Sequence, residues 1–160
     1  MDAREALKIT IDAGKMIGMG YLGDLTDEEM MKRPAPKCNH ITWQLGHLIA
    51  GEQQMIEKIV PGSMPKLPEG FAAKYTKETA ASDNPADFHK KAELLSVFES
   101  VRAGTLAALS KMSDSDLDKP TGVEYAKNFG AMFELTGSHW LMHVGQWTVV
   151  RRQCGRAPLY

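Results

Sequence analysis

The stretch FGAMFELTGSHWLMHVGQWTVVRRQC, residues 129–154, predicts one long helix and decides how the rest of the chain is interpreted. Residues suited to a buried seam recur along it every three or four positions, which is the spacing of one helical face. We expect Gly155 to cap the C-terminus in a left-handed conformation, with Pro158 beyond it. The predicted seam consists of Met132, Leu135, His139, Met142, His143, Gln146 and Val150.

His139 and His143 lie within this helix, four residues apart. Four residues is slightly more than one turn, so both imidazoles project from one face and can share a divalent ion. A buried neutral imidazole needs partners for both ring nitrogens, which a metal and a hydrogen-bonding group supply together. The alternative is that each histidine only hydrogen-bonds a neighbouring group. The spacing leaves both interpretations open.

Three further long helices are predicted by apolar periodicity and capping signals. They cover about residues 2–20, from residues 39–42 to the residue before Pro61, and from Asn84-Pro85 to about residue 112. Thr26 and Ser113 are expected to cap short helices between the long ones.

The connection between the second and third long helices decides the predicted topology. Residues 61–84 hold three prolines and show no clear period, and no run of alternating β-branched residues predicts a strand anywhere in the chain. A connection of this length can cross a bundle, so that the second and third helices run parallel. The sequence therefore predicts an all-α, four-helix bundle with up-down-down-up topology, in a single domain covering residues 1–160.

Composition excludes two classes of partner. The 160 residues carry a formal net charge of −1 and no cluster of Lys and Arg, so nucleic-acid binding is not expected. No apolar run approaches the roughly 18 residues that a membrane-spanning helix needs, so no membrane partner is expected either. Cys38 and Cys154 are isolated, as is usual for reduced thiols in a cytoplasmic protein.

Several catalytic motifs are missing from the chain. Trp140 follows His139, so the His-Glu-x-x-His motif of zinc proteases is absent. No Glu-x-x-His pair of a di-iron bundle occurs, and there is no Gly-x-Ser-x-Gly or glycine-rich phosphate loop. The remaining hypothesis is a site built mainly from histidines.

A third nitrogen ligand would come from another helix. The second helix offers His40 and His47 along one flank, and Gly46 and Gly51 leave space around His47. Periodicity alone does not choose between these two histidines. His89, early on the third helix, is expected to be exposed.

Two motifs in the chain resemble those of the DinB-like (YfiT-like) superfamily. They are Ile41-Thr-Trp-Gln-Leu-Gly-His-Leu-Ile49 and His139-Trp-Leu-Met-His-Val-Gly-Gln146, and the likeness in element order covers almost the whole chain. The resemblance implies an up-down-down-up bundle whose metal ligands fall on His47, His139 and His143. It also implies a homodimer formed through helix faces, and a thiol-dependent activity on a small molecule like that of characterised relatives.

Three histidines with an open fourth position form a site of catalytic type. Zn²⁺ is the expected ion, with Ni²⁺ or Fe²⁺ as alternatives. By similarity, we expect transfer of a low-molecular-weight thiol to an electrophile, or a related hydrolysis. Glu52 and Gln146 are weak candidates for catalytic roles, the first as a base or as a group that supports the metal ligands, and the second in holding a ligand or substrate. Pairing of Glu52 with a basic side chain is the simpler interpretation.

Two further alternatives remain at this point. One is a bundle that holds a metal or small ligand without turnover, and the other is a purely structural protein whose histidines are satisfied by hydrogen bonds. The indole rings of Trp43, Trp140 and Trp147 are compatible with a pocket wall, although aromatic residues at helical spacing belong more often to the core.

Overall fold

Six helices account for most of the chain in the computed structural model, which describes residues 1–157 and Leu159. Pro158, expected to follow the last helix, lies outside the described residues. The fold is all-α, as predicted, and a single short hairpin, β1–β2, is the β-structure of the described part. The helices are α1 (Ala3–Leu22), α2 (Asp27–Met30), α3 (Ile41–Ile59), α4 (Lys91–Ser110), α5 (Asp114–Leu117) and α6 (Phe129–Gln153). The hairpin joins β1 (Pro120–Val123) and β2 (Ala126–Asn128).

The four long helices pack against one another around a shared core. Helix α6 contacts α1 and α3, and α4 contacts the same two helices from the other side. The predicted order of helix directions, up-down-down-up, stays a prediction. Among the described residues, no helix combines the length and the apolarity that crossing a bilayer requires.

The capping signals predicted at Thr26 and Ser113 are confirmed, and Asp2 caps α1 in the same way. Asp2, Thr26 and Ser113 each accept a hydrogen bond from the backbone N–H three residues ahead. In each case the acidic residue at that position bonds back to the cap. These contacts are local in sequence, which is why a pattern of four residues predicts them.

The predicted start of the third long helix is wrong. Asn84 and Pro85 open only a short 3-10 turn, Pro85–Asp87, and the backbone is extended at Phe88 before α4 begins at Lys91. The extended backbone directs the Phe88 ring into the core, where it meets the His40 ring edge-on at 4.8 Å. Burial of a large aromatic side chain thus outweighs a favourable helix-capping signal.

The β1–β2 hairpin was not expected from the sequence. Its strands have four and three residues with an irregular register, so no alternating run marks them. Gly122 adopts a positive φ of 71°, a conformation that favours glycine. The hairpin leads directly into α6, whose first turn is capped by Asn128.

The buried face of α6 differs from the predicted seam. Met142 is 59% exposed, whereas Trp140 and Trp147 lie in the core at 1% and 0% exposure. The reason is close packing between α6 and α1: a Cβ at Gly137 would lie 2.8 Å from the Thr10 carbonyl oxygen. This approach turns the tryptophan face of α6 inward, and the periodicity of α6 alone did not identify it.

Candidate metal centre

Three histidines from two helices converge between α3 and α6. His47 on α3 and His139 and His143 on α6 each place a ring nitrogen so that all three atoms lie within 4.8 Å of one another. His143 is buried, and the other two are half-buried. The resemblance to the superfamily implied this set, whereas periodicity alone left His40 and His47 open; of these two it is His47 that lies with the pair on α6.

The hydrogen bonds around Gln44 determine which nitrogen of His143 carries its proton. Gln44 Oε1 lies 2.9 Å from Trp147 Nε1 and 3.0 Å from His143 Nδ1. An indole N–H can only donate, so the Gln44 atom between these two rings is the oxygen. His143 Nδ1 must then also donate to it, and His143 Nε2 carries a lone pair directed into the cluster.

The remaining bonds of Gln44 agree with this orientation. Its amide nitrogen donates to the carbonyl oxygen of Asn39 and, at 3.1 Å, to Gln146 Oε1. All polar atoms of the buried amide are therefore used. Gln44 belongs to the motif Ile41–Ile49 that resembles the superfamily, but the sequence did not predict a role for it. A glutamine three residues before a candidate ligand was the available signal.

His139 and His143 face each other through their Nε2 atoms, which are 3.2 Å apart. Since His143 Nε2 bears a lone pair, the proton between the two rings belongs to His139 Nε2. His139 would have to carry its proton on Nδ1 in order to present a lone pair to an ion at the same point.

The environment keeps all three imidazoles neutral near pH 7. Burial lowers the pKa of His47 and His139 below the ordinary value of 6.5, and for His139 the neighbouring His47 adds to the effect. The pKa of His143 falls to about 4, because burial is joined by repulsion from the other two rings. Neutral nitrogen donors are the form that binds Zn²⁺ and similar divalent ions.

Trp43 positions His47. The two rings stack with centroids 4.9 Å apart and planes 8° from parallel. The Trp43 indole N–H in turn donates to Thr76 O at 3.2 Å and Thr79 Oγ1 at 3.1 Å. The long connection after α3 thereby fixes the ring on which His47 rests. Of the three tryptophans, Trp43 borders the site, while Trp140 and Trp147 belong to the core.

His40 and His89 lie outside the cluster. His40 caps α3 by accepting the Trp43 backbone N–H on Nδ1, and it is fully buried. His89 is half-buried instead of exposed as expected, because it bonds the Tyr75 hydroxyl at 2.8 Å and stacks on Phe71.

The two weak catalytic candidates occupy different surroundings. Glu52 is buried, and its two oxygens are held by Arg102 Nη2 at 2.8 Å and Thr105 Oγ1 at 2.7 Å. This is the pairing with a basic side chain that the sequence left as the simpler interpretation. Gln146 contacts the site through Gln44 and is half-buried.

Two clefts meet at the histidines. The hairpin cleft, about 570 Å³, lies between α3, α6 and the β1–β2 hairpin and ends at His47 and His139. The loop cleft, about 630 Å³, lies beside the connection after α3 and reaches all three histidines. Neither cleft has an aspartate or glutamate in its lining, and each has one lysine, among the residues that the structure describes. The hairpin cleft is lined by His47, Gly51, Gln54, Met55, Lys58, Val123, Tyr125, Met132, Leu135 and His139, and the loop cleft by Asn39, Trp43, His47, Tyr75, Thr76, Lys77, Ala80, His139, Met142 and His143.

The donor set fits a divalent ion. Three neutral imidazoles within reach of one point, with open space on two sides, match the ligands of a catalytic zinc site better than those of a closed structural one. The second hydrogen bond of His143 to Gln44 is the kind of outer contact that orients metal-binding histidines.

Comparison with known proteins agrees with the fold. The crystal structure of a conserved protein from Enterococcus faecalis superposes with a TM-score of 0.69 over 98% of this chain and 99% of that one, at 16% sequence identity. None of the curated proteins compared with the chain matches it significantly. The sequence profile of the DinB superfamily matches residues 19–147. With this match over most of its length and the all-α fold described above, the chain belongs to the DinB superfamily.

Proposed function

We propose that this protein is a metal-dependent enzyme that transfers a low-molecular-weight thiol to an electrophile. The observation that carries the proposal is the cluster of His47, His139 and His143 at the junction of two clefts. A transfer between two small molecules needs space for both on either side of one reactive point, and the two clefts supply it.

The three histidines would hold the ion, and Zn²⁺ is the ion we expect first, with Ni²⁺ or Fe²⁺ as alternatives. When bound, a divalent ion supplies Lewis acidity, which lowers the pKa of a thiol or a water molecule beside it. Gln44 holds His143 with its Nε2 lone pair directed at the ion site. Trp43 holds the plane of the His47 ring.

The absence of carboxylates favours a thiol over water as the nucleophile. No aspartate or glutamate lines either cleft in the described part of the chain, so the site offers no carboxylate base. A free thiol has a pKa of about 8.5, against about 15.7 for bulk water, so it needs far less help to lose its proton. Hydrolysis is therefore the second candidate.

The test has two stages. Purified protein, prepared without chelators, is expected to contain about one divalent ion per chain by elemental analysis. The loaded protein is then incubated with a panel of low-molecular-weight thiols and an aryl halide electrophile, and the loss of free thiol is followed. We expect turnover with at least one thiol, and its loss in His143→Ala.

A matched control separates metal loss from general damage. His89→Ala removes a half-buried histidine outside the cluster, and it should retain the ion and the activity. A stoichiometric ion without turnover on any thiol would favour the alternative, a bundle that binds a metal or small ligand without catalysis. Protein without an ion would refute the metal-dependent enzyme and the metal-binding form of the alternative, and would leave a bundle that binds a small ligand or has a purely structural role.

A homodimer and a cytoplasmic location complete the proposal. The dimer is supported by exposed apolar side chains on two helices that pack together, Ile9 and Met16 on α1 and Leu141 and Val149 on α6. Light scattering at several concentrations tests it. The location is supported by the two free, half-buried cysteines, Cys38 and Cys154.

A further inference from the structure

We propose that the hairpin cleft binds an anionic small molecule with an apolar aliphatic or aromatic body. Its identification as the electrophile of the reaction rests on the proposed function. The binding itself rests on the walls, the charge and the shape of the cleft.

The walls of the cleft are apolar and adaptable. Met55 from α3, Met132 and Leu135 from α6 and Val123 from the hairpin line it. Methionine side chains are flexible and polarisable, so they fit ligands of somewhat different shape. The volume of about 570 Å³ falls within the roughly 300–1,000 Å³ of typical small-molecule sites. These walls favour an apolar ligand body.

Lys58 gives the cleft its charge preference. It is the one charged residue in the described lining, and no ion pair among the described residues includes its ammonium group. A cation at the rim of an apolar cleft that lacks carboxylates attracts anions and repels cations. The ligand should therefore carry a carboxylate, sulfonate or phosphate at the end that faces Lys58.

One face of α3 determines the length of the ligand. His47, Gly51, Met55 and Lys58 follow one another at helical spacing along the cleft. Eleven residues separate His47 from Lys58, which corresponds to about 16 Å of helix. A ligand that reaches the histidines with one end and Lys58 with the other thus has an apolar body between its two functional ends.

Gly51 keeps the middle of this face bare. A Cβ at position 51 would meet nothing within 4 Å, so a larger side chain there would extend into open space beside the cleft. Glycine is one of the poorest helix formers. Its presence within α3 is explained if the cleft must stay open at this point.

The test uses 8-anilinonaphthalene-1-sulfonate, an aromatic anion whose fluorescence rises in apolar sites. The probe is titrated into metal-free and metal-loaded protein and then displaced with decanoate or decylammonium. We expect one saturable site in both forms, displaced at least tenfold more effectively by decanoate. In Lys58→Gln this preference should fall to less than threefold.

Matched glycine variants test whether the probe binds in the hairpin cleft. Gly51→Leu should weaken probe binding at least tenfold. Gly145→Leu should leave it within twofold, because Gly145 is also helical and faces open space but lines neither cleft. Met55→Trp provides a second way to fill the cleft, and circular dichroism confirms that each variant is folded.

Equal binding in Gly51→Leu and Met55→Trp, or equal displacement by the cationic and anionic chains, would overturn the proposal. The two proposals fail separately, because probe binding is measured without metal. Protein that binds the probe as expected but lacks an ion or turnover would refute the proposed function and retain the cleft assignment. Thiol-transfer turnover in protein whose probe binding does not depend on the cleft residues would support the proposed function and refute the cleft assignment.

Discussion

Replacing Gln44 with leucine should weaken metal binding without touching a ligand. Gln44 Oε1 accepts the His143 Nδ1–H at 3.0 Å and the Trp147 Nε1–H at 2.9 Å, and leucine of similar size cannot accept either. His143 then loses the bond that keeps its proton on Nδ1. Its Nε2 atom no longer holds a fixed lone pair toward His47 and His139.

The magnitude follows from the number of bonds lost. Outer-shell partners of metal-binding histidines contribute about 10–100-fold to affinity, or roughly 1.4–2.7 kcal/mol. Each buried donor left without an acceptor costs about 1–3 kcal/mol of stability. Gln44→Leu should therefore weaken metal binding by about one to two orders of magnitude and also destabilise the metal-free protein.

Two variants separate positioning from general damage. Gln146→Leu makes the same substitution at the neighbouring glutamine. It removes the Gln146 oxygen that accepts from Gln44 Nε2 but leaves the hydrogen bond between Gln44 and His143. It should bind metal within about threefold of the wild type, since the ligand orientation is preserved. Gln44→Glu keeps an acceptor for both N–H groups but loses the amide donor to Asn39 O and Gln146 Oε1. It should therefore restore most of the metal affinity lost in Gln44→Leu while the metal-free protein stays less stable than the wild type.

The assays are competition for Zn²⁺ against a coloured chelator, and nitrogen-15 NMR of the histidine rings in metal-free protein. In the wild type, NMR should show the His143 proton on Nδ1. A proton on Nε2 would contradict the argument, as would a Gln44→Leu variant whose affinity equals that of the wild type.

Three further predictions concern stability. Burial lowers the pKa of His40 from 6.5 to about 4. Neutral His40 therefore contributes up to about 3 kcal/mol to the free energy of unfolding above pH 6.5, and this contribution is lost as the pH falls through 4. Denaturant unfolding of metal-free protein between pH 7 and about pH 4 should show this loss. His40→Asn keeps a capping acceptor and should reduce the slope of the unfolding free energy against pH. An unchanged slope in this variant would contradict the role assigned to His40. Arg102→Met leaves the Glu52 carboxylate buried without its cation and should cost about 3–5 kcal/mol in the same assay. The double variant with Glu52→Leu should recover most of that loss, and a double variant no better than the single would contradict this explanation. Gly46→Ala would place a Cβ 2.2 Å from Tyr75 Cε1, so it should lower the free energy of unfolding by about 1–3 kcal/mol. Tryptophan fluorescence should also change as the loop moves away from Trp43. An unchanged melting curve would show that the Tyr75 ring moves aside without cost.

Local patterns in the sequence were sufficient for the features that depend on neighbours along the chain. The predicted caps Thr26 and Ser113 and the one-turn spacing of His139 and His143 involve groups within four residues of each other. The predicted start of the third long helix fails at Phe88, whose backbone is extended because its ring packs against His40, far away in the sequence.

The choice between His40 and His47 shows most directly where prediction from the sequence ends and the packed structure is needed. Both lie on one flank of the second long helix, and periodicity alone left the choice open; only the resemblance to the superfamily favoured His47. The structure makes His40 a buried cap and brings His47 to the α6 pair.

The sequence by itself determined an all-α chain, the extents of most of its helices and the pair of histidines that one turn of α6 places on one face. Only the tertiary structure decided which face of α6 is buried, that Gln44 and Trp43 orient the ligands, and that two clefts meet at the histidines. The physical reason is distance. Helix propensity and capping act between residues a few positions apart, whereas contacts such as Gln44 with His143 join residues 99 positions apart and exist only once α3 and α6 are packed together.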